Sequence, residues 1–263
     1  MKLAIAGKGG VGKTTLASML ARLYSSDGTA VIAIDANPDA NLAAAVGVSP
    51  EEARKIVPIV ELNDLIEERT GARPGSSGTY FRLNPRVDDL PERYGGKKDN
   101  VRVMVMGTVK TGGGGCMCPE STMVKSLITH LLVGRSEVVV VDMDAGVEHL
   151  GRGTAQAVDA FIVVVEPGQR SFQTAQAVKK LAQDLGVKKV WAVGSKTKSE
   201  ADRQFIQQSL PEFEILGFIN YHQEIAQADV QGKSAFDLSP EAVEEVRQIR
   251  DKLEQLAGEG ARK

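Results

Sequence analysis

The most chemically specific residues of the sequence form a glycine-rich loop close to its N-terminus. The run from Gly7 to Thr14, GKGGVGKT, fits the pattern G-x-x-x-x-G-K-[ST]. In such a loop the backbone N–H groups converge on phosphate oxygens, and the start of the following helix adds positive charge. Lys13 would neutralise the β- and γ-phosphates, and the Thr14 hydroxyl would bind Mg²⁺. The predicted nucleotide-binding residues of the loop are Gly9, Gly10, Val11, Gly12, Lys13, Thr14 and Thr15.

A pair of thiols follows a glycine run in the middle of the chain. Cys116 and Cys118 are its two cysteines, and they lie one residue apart. A pair this close cannot connect distant parts of the chain, which excludes a secreted disulfide framework. Soft thiolates select zinc, copper(I), nickel(II) or iron–sulfur clusters, but a closed structural site usually needs four ligands. A symmetric dimer would bring four thiolates together on its axis, which suits nickel or zinc; incidental thiols and a redox pair are the alternatives.

The elements that must position these residues alternate along the chain. Apolar, β-branched runs of the kind found in strands covered on both faces occur at residues 3–6, 30–34, 101–106, 138–141, 161–165, 190–193 and 215–219. Helices are predicted over residues 14–24, 121–132, 171–185, 200–210 and from about 240. This alternation predicts an α/β fold, with one doubly wound, mostly parallel sheet and helices on both faces.

Two segments interrupt the alternation. Residues 70–100, rich in Gly, Pro and charged side chains, are predicted to be an irregular insertion. Residues 111–119 carry the glycine run and both thiols, and are predicted to be a metal-binding loop. Residues 1–263 are otherwise expected to form a single P-loop domain.

Charge and hydropathy exclude several classes of function. The net charge of −2 gives no global basic field, so we expect no nucleic-acid partner. No apolar stretch approaches the length of a membrane span, and the first apolar run is too short for a signal peptide. The C-terminal helix has an apolar stripe but mixed charges elsewhere, which predicts docking on the core rather than on a membrane. We therefore expect a cytoplasmic protein without membrane contacts.

With Lys8 inside it, the glycine-rich loop resembles the deviant Walker A sequence K-G-G-x-G-K-T-T of the SIMIBI ATPases, the group of the nitrogenase iron protein, MinD and ParA. This resemblance implies a nucleotide-dependent homodimer, in which Lys8 reaches across to the partner's phosphates. Asp142 ends an apolar run and resembles the Walker B carboxylate near Mg²⁺, and Gly146 resembles the switch II glycine. Asp35 and Asp39 lie in a segment similar to switch I, where an aspartate orients the attacking water. The resemblance aligns Asp35 best with that position and Asp39 close behind it, and the sequence does not separate the two.

The nucleotide base is expected to be adenine rather than guanine. A guanine site of the N-K-x-D type needs an aspartate, and the segment from Ser195 to Lys198 has none at that spacing. The resemblance places Lys196 and His222 near the base, although Ser195 stands where the family often has Asn. The other two histidines, His130 and His149, are expected to be structural or exposed.

Several further segments narrow the resemblance. Together with the Cys-x-Cys pair, four segments are similar to the carbon monoxide dehydrogenase maturation ATPases of the CooC/AcsF type. They are DMDAGVEHL at residues 142–150, RGTAQAVD at 152–159, Glu166–Pro167 and LAQDLG at 181–186. That family implies a dimeric ATPase that uses ATP and Mg²⁺ and delivers nickel to carbon monoxide dehydrogenase or acetyl-CoA synthase. Its implied metal ligands are Cys116 and Cys118.

Two other classes of function remain open at this point. One is a redox ATPase like the nitrogenase iron protein, whose cluster ligands are two cysteines far apart in sequence rather than in one loop. The other is a positioning ATPase of the ParA or MinD kind, which binds DNA or membrane and has no use for a Cys-x-Cys pair.

Overall fold

The computed structural model describes residues 1–76, 80–108, 118–144 and 157–259. Its centre is an eight-stranded sheet in the order β3-β4-β2-β5-β1-β6-β7-β8. The strands are β1 (Lys2–Ala6), β2 (Val31–Asp35), β3 (Gly96–Lys98), β4 (Val101–Val105), β5 (Val138–Asp142), β6 (Ala160–Val165), β7 (Val190–Thr197) and β8 (Glu214–Asn220). Neighbouring strands are parallel except for β3 and β4, which pair antiparallel at one edge. The predicted doubly wound, mostly parallel sheet is confirmed.

Helices pack on both faces of this sheet. In the described residues they are α1 (Lys13–Ser26), α2 (Leu42–Val46), α3 (Pro50–Ala53), α4 (Asn63–Thr70), α5 (Leu90–Tyr94), α6 (Pro119–Val133), α7 (Gln169–Asp184), α8 (Glu200–Ser209), α9 (Gln223–Gln231), α10 (Ala235–Leu238) and α11 (Pro240–Glu259), with a 3₁₀ turn at Ile59–Glu61. One hydrophobic cluster joins the sheet to α1 and α11, and a second joins its opposite face to α6 and α7.

The apolar run of β1 does not alternate with polar residues, because both faces of the strand are covered. Leu3 and Ile5 belong to the cluster under α1, whereas Ala4 and Ala6 belong to the cluster under α6. Successive side chains of a strand point to opposite faces, and here both faces are covered. All four side chains are fully buried.

The C-terminal helix docks as its apolar stripe predicts. Val246, Ile249 and Leu253 of α11 are fully buried in the cluster that also contains α1. In the described residues no helix is both long and apolar enough to cross a membrane.

The segment predicted as irregular contains more regular structure than its composition suggests. It includes α5 and the edge strand β3, and the Arg69 guanidinium ties its start to Asp89 at 2.8 Å. Strand β3 is the tripeptide Gly-Lys-Lys, which has no apolar pattern and is a strand because β4 offers an unpaired edge. Lysines on an edge strand also discourage pairing with another chain.

Candidate functional site

The predicted nucleotide-site residues that the structure describes collect at one edge of the sheet, where the parallel strands end. Residues 7–12 follow β1, Asp35 ends β2 and Asp142 ends β5. Strand β1 lies between β5 and β6, and the connections run to opposite sides of it. In open α/β sheets ligands bind outside the carboxyl ends of the strands at such a point, so the topology and the glycine-rich loop indicate the same site.

Glycines are required in the loop for two different reasons. Gly7, Gly10 and Gly12 have φ values of 149°, 78° and 100°, which residues with a Cβ rarely adopt. At Gly7 a Cβ would also lie 2.5 Å from the carbonyl oxygen of Val164, and at Gly12 it would lie 3.0 Å from Ser195 Oγ. The loop therefore packs directly against β6 and β7, and α1 begins immediately after it at Lys13.

Thr14 and Asp142 form the part of the site that suits magnesium. The Thr14 hydroxyl donates a hydrogen bond of 2.6 Å to Asp142 Oδ2. The second carboxylate oxygen, Oδ1, is buried and has no hydrogen-bond partner among the described residues. Burial, with a smaller contribution from the charge of Asp35, raises the pKa of Asp142 to about 7. A buried carboxylate with an unused oxygen beside a threonine hydroxyl fits Mg²⁺, a hard cation that prefers oxygen ligands.

The two aspartates of the segment that resembles switch I have different surroundings. Asp35 is fully buried, and its Oδ2 accepts a hydrogen bond of 2.8 Å from the backbone N–H of Leu42. Its Oδ1 accepts bonds of 3.1 Å from both the backbone and the side-chain N–H of Asn37. Burial raises the pKa of Asp35. Asp39 is exposed. Asp35 therefore anchors the loop, whereas the Asp39 carboxylate faces solvent.

Three lysines surround the loop. Lys13 is almost completely buried, donates to the carbonyl oxygen of Lys8 at 3.3 Å and lies 3.9 Å from Asp144. The Lys8 ammonium lies 3.1 Å from Glu166 Oε1 in its own subunit. Lys196 donates to the carbonyl oxygen of Gly10. The site thus presents several ammonium groups where a triphosphate would bring negative charge.

A cavity of about 550 Å³ extends from the loop toward the end of β8. Its lining includes Gly12, Thr15, Lys196, Asn220 and His222. His222 Nε2 lies 2.9 Å from Glu245 Oε2. A pocket of this size beside a phosphate loop is large enough for a nucleotide.

The side chain of Asn220 is held from three sides. Its Oδ1 accepts from Thr197 at 2.9 Å and from Arg203 at 3.0 Å, and its amide donates to Glu245. The polar end of the cavity is therefore preorganised.

Other predicted residues are described in part. Cys118 is buried directly before α6, at the same edge of the sheet as the nucleotide site. Cys116, Gly146 and His149 lie outside the described residues. Within the described part of the chain, no three His, Cys, Asp or Glu side chains form a group that could hold a metal ion.

Sequence reasoning missed residues whose partners are remote in the chain. Asn37 donates to the carbonyl oxygen of Asp142 at 3.2 Å, which links switch I to β5. Glu166 appeared only as a point of resemblance, and Glu245 lay inside a helix with many acidic residues. The usable signal was position, because Glu166 directly follows β6 and Asn37 lies two residues after β2, both at the carboxyl ends of parallel strands.

Fold and site together define a P-loop nucleotide-binding protein. The model of the CobQ/CobB/MinD/ParA nucleotide binding domain family matches residues 2–235, and the chain belongs to this family. It is therefore a P-loop ATPase of the MinD/ParA type.

Curated relatives cover almost the whole chain. The carbon monoxide dehydrogenase accessory protein CooC of Rhodospirillum rubrum is 48% identical over 240 residues, which are 91% of each protein. An uncharacterized ATP-binding protein of Methanocaldococcus jannaschii is 44% identical over 95% of this chain and 96% of its own.

Solved structures support the fold. The MinD cell division protein of Aquifex aeolicus superposes with a TM-score of 0.68 at 19% identity, covering 97% of both chains. MinD of Pyrococcus horikoshii, complexed with Mg-ADP, gives the same TM-score and identity over 98% of both chains.

Proposed function

We propose that this chain is an ATP-hydrolysing accessory protein that assists nickel insertion into carbon monoxide dehydrogenase or acetyl-CoA synthase. The observation that carries the proposal is the 48% identity, over 91% of each protein, to a relative named as a carbon monoxide dehydrogenase accessory protein. The Cys-x-Cys pair gives the proposal its chemistry. We further propose that it works as a homodimer in the cytoplasm.

In this proposal the nucleotide site binds ATP with Mg²⁺. The loop amides and Lys13 would hold the phosphates. Thr14 and Asp142 would hold the metal, which would neutralise charge on the transferred phosphoryl group. Gly146 would contact the γ-phosphate through its N–H, and Lys196 and His222 would lie near the base. Lys8 would act on the partner's nucleotide. The buried, unused oxygen of Asp142 and the cavity beside the loop support this assignment.

The surroundings of the two switch I aspartates favour Asp39 for the attacking water. Both oxygens of Asp35 already accept hydrogen bonds from its own loop. A group that orients water needs a free acceptor within hydrogen-bond reach of it. Asp39 is exposed and lies in the same loop. We therefore assign the loop anchor to Asp35 and the water-orienting role to Asp39.

Nickel would be cargo, held by Cys116 and Cys118 of both subunits. Thiolates are soft ligands, and four of them on a dimer axis would complete a site that one subunit cannot form. Because α6 follows β4 in a parallel sheet, it begins at the edge where the strands end. Cys118 therefore lies at the same edge of the sheet as Thr14 and Asp142.

Backbone hydrogen bonds connect switch I to the end of β4, where the chain leads into the thiol loop. The Met106 N–H donates to the carbonyl oxygen of Asp35 at 2.9 Å, and the chain enters the loop of the thiols just after Met106. Val60 donates to the Met106 carbonyl at 3.2 Å. A shift of switch I on ATP binding would therefore move the base of that loop. Nucleotide can bias metal binding only if the two nucleotide states differ in metal affinity.

The test is an anaerobic nickel titration of the reduced protein, with and without a non-hydrolysable ATP analogue. Thiolate-to-nickel charge-transfer bands and the molecular mass in solution are recorded together. The Cys116→Ser/Cys118→Ser double variant removes the proposed ligands. Met117→Leu, which changes the residue between them without touching a thiol, is the matched control.

We expect one nickel ion per dimer, bands that disappear in the double variant but persist in Met117→Leu, and an affinity that changes with nucleotide. Nickel binding that is unchanged in the double cysteine variant would refute the metal assignment. Equal affinity in all nucleotide states would refute the coupling. A [4Fe–4S] spectrum after anaerobic reconstitution would favour the redox alternative, and ATP-dependent binding to DNA or vesicles would favour the positioning alternative.

A further inference from the structure

Glu166 lies against two cations of the nucleotide site and has no role in the functions proposed so far. It directly follows β6, which pairs with β1 and so borders the phosphate loop. Its Oε1 is 3.1 Å from Lys8 Nζ, and its Oε2 is 4.0 Å from Lys196 Nζ. One carboxylate thus lies between the lysine assigned to the partner's phosphates and a lysine of its own base site.

The position of Glu166 is fixed by the backbone around it. Its N–H donates a hydrogen bond of 3.1 Å to Ser171 Oγ in the first turn of α7, and Ser171 is buried. The side chains of Glu166 and Lys8 are 28% and 39% exposed. The pair is therefore held in place on one side and partly shielded from water.

Lys196 forms the second contact of this carboxylate because of a bulge in β7. The register against β8 shifts between Ser195 and Thr197, and Lys196 has φ 56°. A bulge re-aims the side chain that it carries. The Lys196 ammonium donates to the carbonyl oxygen of Gly10, so Glu166 is linked to the loop from two sides.

We propose that Glu166 is a positioning residue, which holds Lys8 inside its own subunit until ATP-driven dimerisation transfers Lys8 to the partner's phosphates. This inference rests on the proposed role of Lys8 across the dimer. The contact of Lys8 with Glu166 competes with its contact with the partner's phosphates, because a carboxylate left beside the lysine would face the negative charge of the triphosphate. The ion pair therefore opposes dimerisation and makes it depend on ATP.

The size of the effect follows from the exposure of the pair. A partly exposed ion pair contributes up to about fivefold to an equilibrium constant. A symmetric dimer breaks two such pairs, so removing the carboxylate should raise the dimerisation constant by up to about 25-fold. The difference should shrink at high salt, which screens exposed charges.

The test measures dimerisation of the full chain by sedimentation velocity, with Mg²⁺ and a non-hydrolysable ATP analogue. Glu166→Gln removes the charge and keeps the shape, and Glu166→Asp is the conservative rescue. The matched control is Glu51→Gln, which breaks an exposed pair with Lys55 at 3.3 Å, remote from the site. ATP affinity at low protein concentration shows whether each variant keeps an intact site.

We expect Glu166→Gln to dimerise more tightly than the parent chain. Glu166→Asp and Glu51→Gln should dimerise like the parent chain. In a Lys8→Met background, Glu166→Gln should have no effect. If Lys8→Met dimerises normally with ATP, the proposed role of Lys8 is wrong. If Lys8→Met prevents dimerisation but Glu166→Gln leaves it unchanged or weakens it, only the holding role of Glu166 is overturned.

Discussion

The substitution Asp142→Asn tests the electrostatics of the proposed magnesium site in the absence of nucleotide. Asp142 is fully buried, and burial raises its pKa from 3.8 to about 7. In the folded chain this carboxyl therefore keeps its proton over a pH range in which it is ionised in the unfolded chain. Because the folded state then binds more protons, the free energy of unfolding should fall as the pH rises between these two pKa values.

The magnitude follows from the size of that shift. Each pKa unit corresponds to 1.36 kcal/mol, so between about pH 5 and pH 7 this group lowers the stability of the parent chain by about 3 kcal/mol. Asparagine does not titrate, so the variant loses this dependence. Its amide N–H₂ would take the place of the oxygen that has no partner, which costs about 1–3 kcal/mol at every pH. Relative to the parent, Asp142→Asn should therefore gain about 3 kcal/mol of stability between about pH 5 and about pH 8.

Urea unfolding of both proteins without nucleotide, at about pH 5 and about pH 8, measures this difference. Asp184→Asn, at the exposed end of α7, is the control and should change little at either pH. Asp142→Asn should also lose the stabilisation that Mg²⁺ and an ATP analogue give to the parent chain, because the proposed metal ligand is gone. A stability difference between Asp142→Asn and the parent that is the same at both pH values would refute the reasoning.

Two further predictions concern backbone and packing. Gly12→Ala should weaken ATP binding and destabilise the fold by about 1–3 kcal/mol, because φ is 100° and the new Cβ would lie 3.0 Å from Ser195 Oγ. Gly28 has φ 84°, and no side chain or backbone beyond its chain neighbours would lie within 4 Å of an added Cβ. Gly28→Ala therefore carries the φ strain alone and should leave ATP binding unchanged in calorimetry. Lys2→Met should cost about 2–4 kcal/mol in urea unfolding, since three carbonyl oxygens, of Leu131, Arg135 and Glu137, accept from the buried ammonium. Equal stability of Lys2→Met and the parent would contradict this account.

Part of the site is encoded locally and could be predicted from the sequence. The phosphate loop is one continuous segment, and its function depends on backbone N–H groups, glycine φ values and the start of α1. The apolar runs of β1, β2 and β5 likewise predict strands buried on both faces, since no polar alternation interrupts them. From these features the class of fold and the carboxyl-end position of Asp35 and Asp142 follow together.

Other contacts depend on which strands become neighbours, and a sequence pattern does not specify that. Lys8 and Glu166 are 158 residues apart, and they meet because β6 pairs with β1. Asn37 reaches the Asp142 carbonyl, 105 residues away, because β2 pairs with β5. The sequence by itself therefore determined the loop and the layered sheet, through local conformation and burial. Only the tertiary structure decided which charges lie close enough to compete, because ion pairs and hydrogen bonds act over a few ångströms and strand order sets those distances.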